Sequence, residues 1–213
     1  VWDYITERQS QLLYQGYQHL SLVIQCVVLA TVIAVVLAVL VHRNPKIASA
    51  AEGISAVGLT IPSFALLGLL IPLAGIGTAT SVVAVTFYAT LPILRNAVVG
   101  LAGVDATLVE SARGMGMGRL RTLVRIELPL AWPVILAGVR VSAQMSMGIA
   151  AIAAYVLGPG LGSFIFTGLT QIGGANALNS ALVGTLGVVL LALVLDALLL
   201  GVGRLTTPRG IRV

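Results

Sequence analysis

Polar and apolar residues do not alternate finely along this chain; long apolar runs are separated by short polar gaps. A helix needs about 20 apolar residues to cross a bilayer core at 1.5 Å per residue. Five runs, at about 20–41, 54–73, 78–94, 133–157 and 181–202, meet or approach that length, the third being the shortest. The gaps give a direction. His42, Arg43 and Lys46 follow the first run; Arg95, Arg113, Arg119, Arg121 and Arg125 follow the third; Arg204, Arg209 and Arg212 follow the fifth. "AGIGT" after the second run and "GPGLGSFIFTGLTQIGGANALNS" after the fourth hold neither Lys nor Arg. Since cytoplasmic loops carry the excess of Lys and Arg, the pattern predicts an all-α polytopic membrane protein with five spans, its N-terminus outside and its C-terminus in the cytoplasm.

Composition agrees with that class. The chain is 58% hydrophobic and 9% charged, against roughly a quarter charged in soluble domains. The net charge of +5 comes from arginines in the gaps, which the membrane rule explains without nucleic acid. One domain, 1–213, is predicted. Cys26, the single cysteine, has no disulfide partner within the chain and reads as packing. "VWDYITERQSQ" lacks the basic leader of a signal peptide and precedes a full-length run, so the first span is expected to be retained. Trp2, Tyr4, Tyr14 and Tyr17 read as an outer aromatic belt, and Trp132 marks the inner start of the fourth span. Pro62, in "GLTIPSFALLG", reads as a packing kink. The Ala, Gly and Ser of "SMGIAAIAAY" favour close helix approach, suit a subunit seam and make the fourth span central. "GPGLGSFIFTGLTQIGG" reads as an outer re-entrant or surface element.

The longest cytoplasmic gap, about 104–130, contains four arginines and a glycine-broken stretch. Thr107 and Glu110 have capping-box spacing and Asp105 is a second N-cap candidate, so a short helix is predicted from about Ala106. Leu108, Ala112 and Met115 share one face of it, Glu110 and Arg113 another. "GMGMG" then bends the chain before a second helix over about 119–128, closed by Pro129 and Pro133. This helix–bend–helix suits a docking partner. The simpler alternative is a surface loop whose arginines meet lipid phosphates.

The loop's spacing carries a resemblance. Glu110-Ser111-Ala112, three residues, Gly116, nine residues, Ile126, one residue, then Leu128-Pro129 resembles the EAA loop of ATP-binding-cassette (ABC) importer permeases, with Ser111 the one departure. The resemblance implies the type I, MetI-like permease fold and makes this loop the coupling helix that sits in a cleft of the ATPase. Carried over, Glu110, Ser111, Ala112, Gly114, Gly116, Ile126, Leu128 and Pro129 are the ATPase-coupling residues. Over about 20–172, "IPSFALLGLLIPLAGIG", "LPILRNAVVGLAGVD", "IELPLAWPVILAGVR" and "LGPGLGSFIFTGL" look like permeases importing glycine betaine, choline and carnitine. The resemblance further implies an ATPase dimer that binds ATP and Mg, a second identical or homologous permease, an extracellular or periplasmic substrate-binding protein, and a bacterial cytoplasmic membrane.

Other chemistry is thin in the sequence. The only lysine, Lys46, stands in "RNPKIAS", outside any phosphate-binding loop, so ATP hydrolysis is expected elsewhere and no cofactor is expected in this chain. His19 and His42 lie outside the predicted spans, on opposite sides and without visible partners, so no metal or acid–base site is expected. With aromatics at 5%, a tight quaternary-ammonium cage is expected in the receptor, and only a weak, transient path here. Two rival functions remain: an importer of another small polar solute such as an amino acid, and an ion-coupled secondary transporter, which intramembrane carboxylates and an inverted repeat would mark. Two charges fall well inside predicted spans, Arg140 in the fourth and Asp196 in the fifth. Either they pair and lock the two spans together, or Arg140 snorkels to headgroups while Asp196 bonds to backbone or water.

Overall fold

A computed structural model describes residues 1–207; Arg209 and Arg212, used above for orientation, lie outside the described residues. The chain there is helical throughout. In order come α1 (Trp2–Glu7), α2 (Gln9–Val41), α3 (Pro45–Gly58), α4 (Ser63–Ala74), α5 (Thr78–Ala102), α6 (Ala106–Gly114) and α7 (Arg119–Thr122). A π-helical turn, Leu123–Glu127, leads into α8 (Leu128–Ala153), which a 3₁₀ turn (Ala154–Val156) ends; α9 (Gly162–Thr170) and α10 (Ala177–Thr206) complete the chain.

Four stretches are long and apolar enough to cross a membrane: Gln9–Val41, Thr78–Ala102, Arg119–Val156 and Ala177–Thr206. Where the sequence predicts one kinked span over 54–73, α3 and α4 meet at 97°. Pro62 supplies no N–H, and its ring disfavours helix at Ile61; its own ψ of 131° is extended. The break is secured from outside, since the Tyr88 hydroxyl donates to the Ile61 carbonyl at 2.5 Å. The third span is also longer than its apolar run, because α5 continues through Arg95 to Ala102.

The centre of the bundle is the seam between α5 and α8, closed by small residues. A Cβ on Gly138 would stand 2.7 Å from the Asn96 Cβ, and one on Gly100 3.1 Å from the Ala131 carbonyl oxygen. Ser142 donates to the Ala89 carbonyl across the same seam. Ala30, Ala34 and Ala38, four residues apart on one face of α2, are fully buried in the same core. Gly138 and Ser142 of the fourth span are therefore taken up within the chain by α5, whereas Gly148, within "SMGIAAIAAY", is exposed with open space around it. α10 does the opposite, exposing Leu186, Leu190 and Leu193, a surface suited to lipid.

Three readings of single residues change. Tyr4 belongs to no exposed belt: it is 5% exposed and packs with Leu161, Phe164 and Val183, whereas Trp2, Tyr14 and Tyr17 are exposed. His19 lies inside α2, fully buried, with Nε2 3.1 Å from the Met147 carbonyl oxygen. His42 also has a partner, described below. The segment after α8 gives α9, nine residues and about 14 Å long, too short to cross and packed on α10 where Gly184 faces Phe164 and Ile165.

Candidate functional site

The 104–130 segment is built from its turns. Asp105 caps α6, its carboxylate accepting from the Thr107 amide at 2.8 Å; of the two N-cap candidates it is the one used. The backbone and side chain of Thr107 hold the Asp105 carboxyl below its ordinary pKa. At the other end Met117 N–H donates to the Ala112 carbonyl at 3.0 Å and Gly116 N–H to the Arg113 carbonyl at 2.9 Å. This pair of bonds is a Schellman stop, which needs a left-handed residue after the helix, and Gly116 supplies it at φ +85°.

These turns decide what α6 presents. Ala112 is buried at 1%, while Glu110, Ser111, Gly114 and Gly116 are exposed. Leu108, Met115, Leu120 and Val124 are also exposed, between 48% and 74%, so carboxylate, guanidinium and apolar groups share the surface. Ile126, Leu128 and Pro129 are half-buried. The predicted second helix does not close at Pro129, because the π turn carries it into α8 without a break. Leu128 N–H reaches back five residues to the Leu123 carbonyl, a wider turn immediately before the proline whose missing N–H and bulky ring an ordinary turn accommodates poorly. From Arg119 onward the segment thereby runs without a break into the central helix.

Under the loop lies an ionic cluster that no spacing rule singled out. Glu127, its side chain 6% exposed, receives His42 Nε2 at 3.1 Å and Arg43 Nη2 at 3.2 Å. His42 Nδ1 lies 2.9 Å from the Val39 carbonyl oxygen, so the ring bridges the end of α2 to the π turn. The signal available in the sequence was an acid inside a basic, amphipathic stretch, with two basic residues following the first run; their meeting depends on tertiary structure. Deeper in the bundle Arg140 and Asp196 come together, Nε to Oδ1 and Nη2 to Oδ2 both at 3.0 Å, a two-pronged contact joining α8 to α10. Trp132 Nε1 donates to the Thr206 hydroxyl at 2.7 Å nearer the loop.

No group of three or more His, Cys, Asp or Glu side chains among the described residues is placed to hold a metal ion. The arrangement offers an exposed surface continuous with a helical core, and polar links that join the two.

The chain is similar to several known proteins. Residues 30–206 match the family described as binding-protein-dependent transport system inner membrane component. The chain is 39% identical to a carnitine transport permease protein of Listeria monocytogenes, covering 100% of this chain and 95% of that protein. It is 38% identical to a choline transport system permease protein of Bacillus subtilis, covering 100% and 96%. An osmoprotectant import permease protein of Salmonella typhimurium is 39% identical, with 98% of each chain covered. Among solved structures, an inward-facing form of the MetNI methionine ABC transporter superposes with a TM-score of 0.79 at 21% identity, covering 92% of this chain and 96% of that one. That last likeness is one of fold.

Proposed function

The chain belongs to the family of binding-protein-dependent transport inner membrane components, and from that premise we propose that it is the translocation subunit of an ATP-driven importer of small osmoprotectants. Its relatives are named for carnitine, choline and glycine betaine, solutes that share a trimethylammonium group. In this reading the chain crosses the bacterial cytoplasmic membrane five times, the α3–α4 pair counting as one broken crossing, with its N-terminus outside and its C-terminus inside. The basic ends of the helices then face the cytoplasm. A second permease subunit, an ATPase dimer that binds ATP and Mg, and a substrate-binding protein complete the machine.

One observation carries the coupling role. α6 is capped at both ends, buries Ala112 and turns Glu110 and Ser111 outward, which leaves the EAA-frame carboxylate and a compact helix surface free for an ATPase cleft. A push on α6 then travels through the 116–118 bend and the π turn into α8, and through Glu127 into the end of α2. The test is co-purification. Glu110→Lys and Gly116→Val should both insert in the membrane but lose the ATPase; retention of stoichiometric ATPase and of uptake by both variants would refute the docking assignment.

A further inference from the structure

Three aromatic rings from distant parts of the chain meet in one place. Phe64, in the first turn of α4, lies 5.4 Å from Tyr155 and 6.4 Å from Phe166, ring centroid to centroid, both edge to face; Tyr155 and Phe166 are 5.8 Å apart. Tyr155 sits in the 3₁₀ turn that ends α8 and Phe166 in α9. The cluster is only partly covered, with Tyr155 65% and Phe64 49% exposed. Among the described residues it is the one place where three rings are in mutual contact; Phe87 and Tyr88 form the other neighbouring pair.

Its depth is set by α5. Tyr88 lies ten residues into that helix, so the Ile61 carbonyl it holds is about 15 Å below the Thr78 end. Phe64, three residues farther on, returns toward that end. The rings thus stand in the half of the bundle remote from the basic loop, beside the broken helix and short of the middle of a 30 Å hydrocarbon core. The stretches that bring them, 59–74 and 154–170, contain no charged residue.

The local backbone holds Tyr155 in place. Gly158 N–H donates to the Ala153 carbonyl and Leu157 N–H to the Ala154 carbonyl, at 3.0 and 3.1 Å, the same stop that ends α6. Here the left-handed position is filled by Leu157, at φ +59° and 76% exposed, a conformation that disfavours any residue with a side chain. Strain of this kind concentrates where a protein needs a specific geometry.

We propose that Phe64, Tyr155 and Phe166 form a π surface that receives the quaternary ammonium group of the solute as it passes through the permease. The inference rests on the transport reading above and deepens it. A quaternary ammonium has no N–H to donate, so it offers an acceptor no directional hydrogen bond; aromatic faces attract it through their quadrupole. The absence of a carboxylate in both segments keeps the attraction weak. Weak binding is what a path requires, because a solute must leave as readily as it enters. The sequence hides this site, since the three residues are 91 and 11 positions apart and only the return of α9 toward the α4 break joins them.

The test uses the complete complex in proteoliposomes, with choline as the transported probe. Phe64→Leu and Tyr155→Leu keep apolar bulk and remove the π face; each should lower choline uptake by about 3- to 30-fold, the range of one cation–π contact, with the complex still assembled. Tyr155→Phe should retain most of the uptake, and successive fluorination of a phenylalanine at position 155 should lower it stepwise at nearly constant volume. Wild-type uptake in both Leu variants overturns the proposal. Indifference to fluorination also overturns it, in favour of plain packing, and so does loss of the paired permease from the Leu variants, in favour of a subunit seam. An independent arm needs no transport: with fluorotyrosine at Tyr155, its ¹⁹F resonance, assigned by Tyr155→Phe, should shift saturably with tetramethylammonium chloride and not with sodium chloride. If wild-type complex moves none of choline, carnitine or glycine betaine, the osmoprotectant reading fails by itself, and this titration still decides the fate of the ring surface.

Discussion

Gly116 and Glu110 are six positions apart and do different work. Gly116 stands at φ +85° in the Schellman stop of α6, where a side chain costs roughly 1–2 kcal/mol of backbone strain; with open space around it, that strain is the whole local penalty. Gly116→Ala should therefore weaken ATPase retention by about 5- to 30-fold, read by titrating purified permease with ATPase, and Gly116→Val more. Asp105 adds a pH dependence of definite sign. Its carboxyl is held below its ordinary value by Thr107, so the cap's contribution is complete above the unfolded-state value and is lost as pH falls through the lower folded one. Proteolytic cleavage of the loop should accordingly rise below about pH 4, and Asp105→Asn should flatten that response. At Arg140 and Asp196 the measurement is a charge exchange. Arg140→Asp or Asp196→Arg alone places an uncompensated charge between α8 and α10 and should lower folded yield, and the double exchange should recover much of it. A double variant no better than the worse single would show that the 3.0 Å contacts are not an energetic unit.

Among the elements, the helix ends and breaks join the loop to the bundle. Glu127 is the joint: its buried carboxylate ties His42 and Arg43 at the end of α2 to the π turn below α6. Glu127→Ala strands the buried His42 ring and should destabilise the subunit by about 1–3 kcal/mol, seen as a lower unfolding temperature in detergent; His42→Ala made together with it should add little more. What was legible in the sequence follows from the same distinction. Apolar runs and Asp105 mark where helices lie and where α6 begins, because hydropathy and capping are local. The turn of 97° at Pro62 was not legible as such, since a proline permits a kink or a break alike and Tyr88, 26 residues away, decides between them. Pro129 failed as a helix stop for a related reason: a π turn before it removes the clash, and nothing in "LVRIELP" announces that turn. The meeting of Glu127 with His42, and of three rings at the α4 break, came only with the fold.

For the molecule as a whole, a closely packed centre separates two ends with different chemistry. α5 and α8 lie so close that a Cβ added at Gly138 or Gly100 would stand 2.7 or 3.1 Å from its nearest neighbour; the loop and the Glu127 cluster lie at one end and the ring cluster toward the other. The fold class and the family frame were legible in the sequence because the EAA spacing is local and the spans are long; the ring surface proposed for the solute was not, because it is assembled from segments that carry no charge and no motif. The most direct measurement is uptake of labelled choline, carnitine or glycine betaine into proteoliposomes holding this chain with its ATPase and receptor, with ATP supplied at the loop side. Accumulation that requires ATP, requires the receptor and disappears in Glu110→Lys is the predicted result. Accumulation by this chain alone on a proton or sodium gradient, indifferent to ATP and to Glu110, would contradict the account.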